Sequence, residues 1–177
     1  MNELSLDARY DFEKVLEQYN KMIYRLAYAR TGNIHDAEDI LQEVFLRYIK
    51  SGMIFNSEEH RKAWFLKVTS NCSKNLVTSS WNRRRTCIDE QTLKAENRDF
   101  SDVSHNMENS DRKAVVLDAV MSLPEKYRVV IHLFYYEELS IDEICAITGI
   151  SISSAKTRLH RARKMLKEIL KGVEFND

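Results

Sequence analysis

Residues that interrupt helices are scarce in this chain. Its 177 residues include only four glycines and one proline. Gly and Pro cost the most free energy inside a helix, so their scarcity favours long helices. The composition is that of a globular protein, since 44% of the residues are hydrophobic and 31% are charged. We therefore predict an all-α fold.

The N-terminal half is predicted to hold three helices. Apolar residues recur at helical spacing from Phe12 to Ile49, with a break at Gly32 and Asn33. This pattern predicts two amphipathic helices, the second of which ends at Gly52. A third helix is expected to begin near Ser57, where acidic residues in the first turn suit the helix dipole, and to run towards Arg83, Arg84 and Arg85.

The next segment has a different composition. Residues 86–111 lack a sustained apolar period, and residues 86–112 hold seven acidic against three basic side chains. This pattern predicts a flexible acidic linker. Helical periodicity resumes at Ala114, and Pro124 suits the first turn of another helix. We therefore expect two small helical domains, residues 1–85 and 112–172, joined by the linker 86–111.

Several classes of function lack their signatures in this sequence. Cys72, Cys87 and Cys145 form no CxxC pair, and no histidine stands at metal-ligand spacing, so we expect reduced thiols and no metal. No apolar run reaches the length of a bilayer span, and the N-terminus has no signal-peptide core. A Gly-rich phosphate loop, an HExxH motif and a credible nucleophile and base pair are absent. We therefore expect a cytoplasmic protein that is not an enzyme and binds no cofactor.

Positive charge is concentrated near the C-terminus. The formal net charge is zero, yet residues 151–171 hold seven basic against one acidic side chain. The segment SIDEICAITGISISSAKTRLHRARK has the signature of a helix-turn-helix. Ser140 and Glu143 form a capping box, Gly149 permits a left-handed turn, and Ser151 caps the second helix.

The second helix of this motif is predicted to bind duplex DNA. Its apolar residues from Ile152 to Ile169 define one buried stripe. The polar residues opposite suit the major groove, because arginine reads guanine edges and flanking cations contact phosphates. A solvated basic face is the alternative for such a charge run taken alone, but the capped first helix and the small residues Ala155 and Ala162 favour DNA binding. The predicted contacts are Ser153, Ser154, Lys156, Thr157, Arg158, His160, Arg161, Arg163 and Lys164.

The C-terminal part resembles a known family. Residues 122–166, SLPEKYRVVIHLFYYEELSIDEICAITGISISSAKTRLHRARKML, resemble region four of bacterial sigma factors of the extracytoplasmic-function type. In that family an LP-x-x-x-R helix precedes a helix-turn-helix that ends in K-[ST]-R-L-x-R-A-R. The resemblance implies that the second helix reads the minus 35 promoter element in duplex DNA.

The N-terminal part carries a second resemblance. Residues 36–50, DAEDILQEVFLRYIK, resemble sigma region two, whose helix docks on the coiled coil of the largest RNA polymerase subunit. An acidic helical stripe taken alone is usually solvated surface. Here its acidic and amide side chains fall largely on one side and suit a basic partner. The resemblance implies that core polymerase is bound by Asp36, Asp39, Gln42 and Glu43.

The following segment mixes aromatic and basic residues. Cations follow a phosphate backbone and aromatic faces stack on unpaired bases, a combination that suits a melted strand. Residues 55–85 are similar to the family segment that opens the minus 10 element, after a loop that traps a flipped base. We expect Trp64 to lie in the core. The predicted strand contacts are Asn71, Lys74, Asn75, Arg83, Arg84 and Arg85.

Together the resemblances imply a detachable sigma subunit. It would bind the coiled coil of the largest polymerase subunit and the flap of the second-largest, recognise both promoter elements and help to open the DNA. They also imply an anti-sigma factor as a partner. Two alternatives stay open, a dimeric helix-turn-helix regulator that acts without polymerase and an interaction adaptor that has lost DNA binding. Only the sigma interpretation needs the acidic helix and the aromatic and basic helix in one chain.

Overall fold

The fold consists of helices. The computed structural model describes residues 6–84 and 107–171, and their side chains from 11 to 76 and from 112 to 171. All regular secondary structure in these ranges is helical, which confirms the predicted all-α class. The helices are α1 (Leu6–Thr31), α2 (Ile34–Ser51), α3 (Glu58–Arg84), α4 (Met107–Met121), α5 (Glu125–Tyr135), α6 (Ile141–Thr148) and α7 (Ile152–Leu170).

The predicted breaks in the N-terminal half are confirmed. Gly32 has a φ of 67°, and the Asn33 side chain accepts a hydrogen bond of 3.0 Å from the amide of Asp36 at the start of α2. Gly52 ends α2 with a φ of 58°. Both glycines adopt the left-handed backbone that a side chain disfavours, so the glycine positions set the helix lengths.

Several aromatic side chains pack against one another in the core of α1–α3. Phe65 is fully buried, and its ring centroid lies 4.6 Å from that of Tyr19 and 5.8 Å from that of Phe45. Trp64 is half-buried and meets the Phe65 ring edge-on at 5.2 Å. The expectation that Trp64 packs in the core is therefore confirmed.

Helices α6 and α7 are bounded by the capping residues that the sequence predicts. Ser140 and Glu143 form a reciprocal capping box, and Gly149 closes α6 with a φ of 76°. The Ser151 hydroxyl accepts a hydrogen bond from the amide of Ser154 in the first turn of α7. Helix α4 begins at Met107, within the range predicted as linker. An apolar period cannot locate such a start, because the first turn of a helix need not contact the core.

The groups α1–α3 and α4–α7 contact each other through an apolar cluster. This joint was not predicted. Its members from α1 and α3, Leu26 and Leu66, are fully buried against apolar side chains of α5 and α6. The α5 and α6 members are Val129, Leu133, Ile144 and Ile147. We call the two groups the N-terminal and C-terminal blocks and their contact the joint.

Candidate nucleic-acid interface

The predicted DNA-reading face of α7 is largely exposed. Ala155, Leu159 and Ala162 are buried, which confirms the centre of the apolar stripe. Its predicted ends are wrong, because Ile152 is 49% and Ile169 43% exposed. They lie in the first and last turns of α7, where neighbouring helices cover less of the surface. Ser154 and Arg158 are half-buried, and the exposed predicted contacts are Ser153, Lys156, Thr157, His160, Arg161, Arg163 and Lys164.

Two arginines of α7 lie beside tyrosines of α5. The Nε of Arg163 donates to the hydroxyl of Tyr135 at 2.8 Å, and its guanidinium lies 5.6 Å from the centroid of that ring. Arg161 lies close enough to the phenol of Tyr127 to lower the pKa of Tyr127, by side-chain hydrogen bonding and by its charge. The bond to Tyr135 restricts the rotamers of the Arg163 guanidinium. Sequence reasoning missed Tyr127 and Tyr135, because their spacing does not reveal which helix they contact.

Arg158 faces the N-terminal block. It lies close enough to Arg30 of α1 to affect its ionisation. Burial is the main cause that lowers the pKa of Arg30; the carboxylate of Glu125, 2.9 Å away, opposes the shift, and the charge of Arg158 adds to it. Arg158 therefore has a neighbour at the joint, unlike the exposed residues on the outer face of α7.

The acidic face of α2 is exposed and continues into apolar residues. Asp39, Gln42 and Glu43 are exposed and Asp36 is half-buried, while Arg47 pairs with Glu43 at 2.7 Å. The later turns of α2 and the following loop add large apolar side chains that solvent reaches. They are Leu46, Ile49, Met53 and Ile54.

Such an apolar stretch beside charged residues is typical of a protein-binding surface. Sequence reasoning missed these apolar residues because only the buried side of α2 and its acidic side chains pointed to a role. The sequence contained one signal for them, because these apolar residues lie outside the helical stripe of α2 that faces the core.

One face of α3 presents part of the predicted strand-binding set. Asn71, Lys74 and Asn75 are exposed on this helix. The side chains of Arg83 and Arg84, and all of Arg85, lie outside the described residues. Two other basic residues of the segment turn to the joint, where Lys62 donates to the carbonyl of Glu137 and Lys67 to that of Ala146.

Neither a metal cluster nor a membrane span was found in the described part of the chain. No three His, Cys, Asp or Glu side chains there are grouped to hold a metal ion. No helix within residues 6–84 and 107–171 is both long and apolar enough to cross a bilayer.

A helical bundle joined to a capped helix-turn-helix with a cationic second helix is typical of DNA-binding proteins that act in transcription. Two family models match the chain, Sigma-70 region 2 over residues 15–83 and Sigma-70, region 4 over residues 113–166. The chain belongs to the sigma-70 family of RNA polymerase sigma factors, and within it to the extracytoplasmic-function (ECF) type.

Named relatives agree with this assignment. The chain is 29% identical over 173 residues to the ECF RNA polymerase sigma factor SigW of Bacillus subtilis, covering 92% of this chain and 90% of SigW. It is 29% identical over 161 residues to the ECF RNA polymerase sigma factor SigE of Mycolicibacterium smegmatis, covering 90% of this chain and 61% of SigE.

A solved structure shares the fold. It is the sigma factor RpoE in complex with the anti-sigma factor NepR from Bartonella quintana, with a TM-score of 0.65 and 21% identity. The match covers 93% of this chain and 99% of RpoE.

Proposed function

We propose that the protein is an ECF sigma factor that binds core RNA polymerase, recognises the minus 35 and minus 10 promoter elements and promotes transcription initiation. The observation that carries this proposal is the presence in one chain of both sigma regions, each with its surface exposed. Region 2 presents the acidic and apolar face of α2, and region 4 presents the cationic face of α7. A regulator that acts without polymerase has no need of the first surface.

The two regions divide the work. The outer face of α7 enters the major groove, with Arg161 towards base edges and Lys156, Arg163 and Lys164 towards phosphates. On α3, Asn71, Lys74 and Asn75, together with Arg83, Arg84 and Arg85, hold the separated strand of the minus 10 element. The proposed domains are residues 1–85 and 112–172 around the linker 86–111, with the second domain extended back to Met107 by the start of α4.

Protein partners are part of the proposal. The α2 face, with Asp36, Asp39, Gln42 and Glu43, docks on the coiled coil of the largest polymerase subunit, and residues 112–172 also contact the flap of the second-largest. An anti-sigma factor is a further partner, by analogy with the RpoE structure that contains NepR. The protein acts in the cytoplasm, where it meets the polymerase and promoters, and the polymerase supplies the chemistry of RNA synthesis.

Run-off transcription tests the proposed function. Purified core polymerase is incubated with the protein on fragments of the source genome, including the region upstream of its own gene. We expect discrete transcripts that need the protein and that disappear when the minus 35 sequence is replaced by an unrelated one of equal length. Core enzyme that starts no more selectively with the protein than without it would refute the proposal.

A further inference from the structure

A cavity of about 440 Å³ lies between α1, α4 and α5. Its volume is that of a typical small-molecule site, and such sites often lie between packed helices. None of the described residues that we propose to contact DNA or core polymerase lines it. The aliphatic side chains of its wall are Ala29, Val116, Leu117, Val120 and Met121. The proposed function therefore leaves this cavity without a role.

Leu117 of α4 shows that the apolar wall is incompletely packed. It is half-buried and lines the cavity, yet it belongs to none of the three apolar clusters formed by the described residues. Protein interiors usually fill such space, because atoms that line a void lose dispersion contacts. An apolar ligand would supply those contacts and would itself leave water.

The wall is held in place by a buried arginine. Arg128 of α5 is 9% exposed; its Nε donates to the carbonyl of Ala29, and its Nη1 donates to that of Met121 at 2.7 Å. Both acceptors belong to residues that line the cavity, and both lie in the last turn of a helix, where carbonyls lack intrahelical partners. The cavity is therefore formed before a ligand arrives, which lowers the cost of ordering it on binding.

The charged side chains that line the cavity are all basic. They are Arg25 of α1 and Arg112 and Lys113 of α4. Lys113 is exposed and the two arginines are half-buried, so positive charge stands where the cavity meets solvent. Glu137 lies 3.5 Å from the Nε2 of the cavity-lining His132, but does not itself line the cavity. This arrangement favours a ligand whose exposed end is an anion.

We propose that the cavity binds a single-chain amphiphile with an anionic head group, of the class of the medium-chain fatty acids. The aliphatic tail lies against Val116, Leu117 and Met121, and the head group pairs with Arg25 and Lys113. The tail supplies most of the affinity, whereas the cations select the sign of the head group. Binding needs neither polymerase nor promoter, so this inference does not depend on the proposed function.

Isothermal titration calorimetry with the full chain tests the site. The probes are hexanoate, octanoate and decanoate, each kept below its critical micelle concentration. We expect one saturable site and a Kd that falls about fourfold for each buried methylene, hence about sixteenfold at each step of the series. Decyl phosphate, with the same tail as decanol and a different anion from decanoate, should also bind. Absence of saturable binding by both decanoate and decyl phosphate would overturn the proposal.

The head group is tested with ligands of equal tail length. Decanol, which is neutral, and decyltrimethylammonium, which is cationic, should bind at least tenfold more weakly than decanoate. The tighter of decanoate and decyl phosphate identifies the preferred anion, and inorganic phosphate alone should not bind. Equal affinity for the anionic, neutral and cationic ligands would overturn the role of the basic side chains.

Charge variants locate the head group. Arg25→Gln combined with Lys113→Gln should weaken decanoate at least tenfold and leave the affinity for decanol unchanged, because only the anion is affected. Lys126→Gln, at an exposed position of α5 outside the cavity wall, is the matched control. If the double variant binds decanoate as tightly as Lys126→Gln does, the head group does not lie at these cations.

A cavity-filling variant locates the tail. Leu117→Trp places a larger side chain in the cavity and should abolish decanoate binding, whereas Leu117→Met keeps nearly the same volume and should retain it. Thermal unfolding gives a second measurement, since a ligand that binds only the folded state raises the Tm. Decanoate should raise the Tm of the wild type and Leu117→Met but not that of Leu117→Trp. Equal decanoate affinity in the two Leu117 variants would overturn this location, and the charge variants test the site even if Leu117→Trp does not fold.

Discussion

At the scale of single residues, the sequence predicts which side of α7 is polar but not what holds each side chain. Helical spacing placed Arg161 and Arg163 away from the buried stripe, and both are exposed. Their contacts with Tyr127 and Tyr135 depend on how α5 crosses α7. A crossing of two helices is a tertiary property that the spacing within each helix does not contain.

The first prediction concerns Arg161. Arg161→Ala should weaken binding of the polymerase holoenzyme to minus 35 duplex by about 1–3 kcal/mol, because a bidentate guanine contact is lost. Fluorescence anisotropy with labelled promoter measures the change, and binding of the protein to core should stay as in wild type. Arg161→Lys is the control that keeps the charge without the planar fork. Promoter affinity unchanged by the alanine would contradict the assignment of this residue.

At the scale of elements, helix ends were more predictable than helix partners. Gly32, Gly52 and Gly149 mark breaks in the sequence, and each adopts a left-handed backbone where a helix ends. Capping depends on residues a few positions apart, so the sequence contains the whole signal. The start of α4 was missed because its first residues lie within a polar, acidic segment.

The second prediction concerns the face of α2. Charge reversal by Asp39→Lys with Glu43→Lys should weaken binding to core polymerase by at least about tenfold, or about 1.4 kcal/mol, since charge complementarity with a basic partner is lost. Surface plasmon resonance with immobilised core measures the affinity. Glu17→Lys, on an exposed position of α1, controls for a general charge effect. If core binding survives the double reversal, docking through this face is wrong.

The third prediction concerns the capping box of α6. Hydrogen bonds from Ser140 are the main cause that lowers the pKa of Glu143. Ser140→Ala should reduce the free energy of unfolding by about 1 kcal/mol in urea at neutral pH. Because the pKa of Glu143 is lowered on folding, its contribution is full above the ordinary glutamate pKa and is lost as the pH falls through the lowered value.

The pH dependence gives this prediction a second measurement. The difference between wild type and Ser140→Ala should shrink in acid, as the Glu143 carboxylate becomes protonated. Ser140→Thr, which keeps a hydroxyl acceptor, should retain most of the wild-type stability. If the difference in unfolding free energy between wild type and Ser140→Ala stays constant from neutral pH down to about pH 3, the Glu143 carboxylate does not contribute to it.

At the scale of the whole molecule, the sequence predicted two helical groups but not their joint. Leu26 belongs to the apolar period of α1, and Leu133 to that of α5, so burial of each was expected. Periodicity says that a side chain is buried without saying against which partner. The shared cluster and Arg128 bring together residues about a hundred positions apart, and such long-range contacts leave no local pattern.

The fourth prediction concerns salt. The chain has zero formal net charge, but its proposed DNA contacts include many basic residues, so local charge should dominate. If about six phosphates are contacted, holoenzyme affinity for promoter DNA should fall about a thousandfold between 50 and 200 mM salt. Lys164→Ala should reduce the logarithmic slope by about one, whereas Lys171→Ala, whose ammonium pairs with Glu168, should leave it unchanged. A slope near zero would contradict phosphate binding.

The exposed apolar side chains at the end of α2 limit the concentration at which the protein can stay free of its partner without aggregating. Leu46, Ile49, Met53 and Ile54 are all more than two-fifths accessible, and they adjoin the face that we propose docks on the polymerase. Copies made in excess of available core would present these side chains to one another or to quality-control proteases. Abundance matched to its binding partner is therefore a condition that the surface of this protein imposes on its expression.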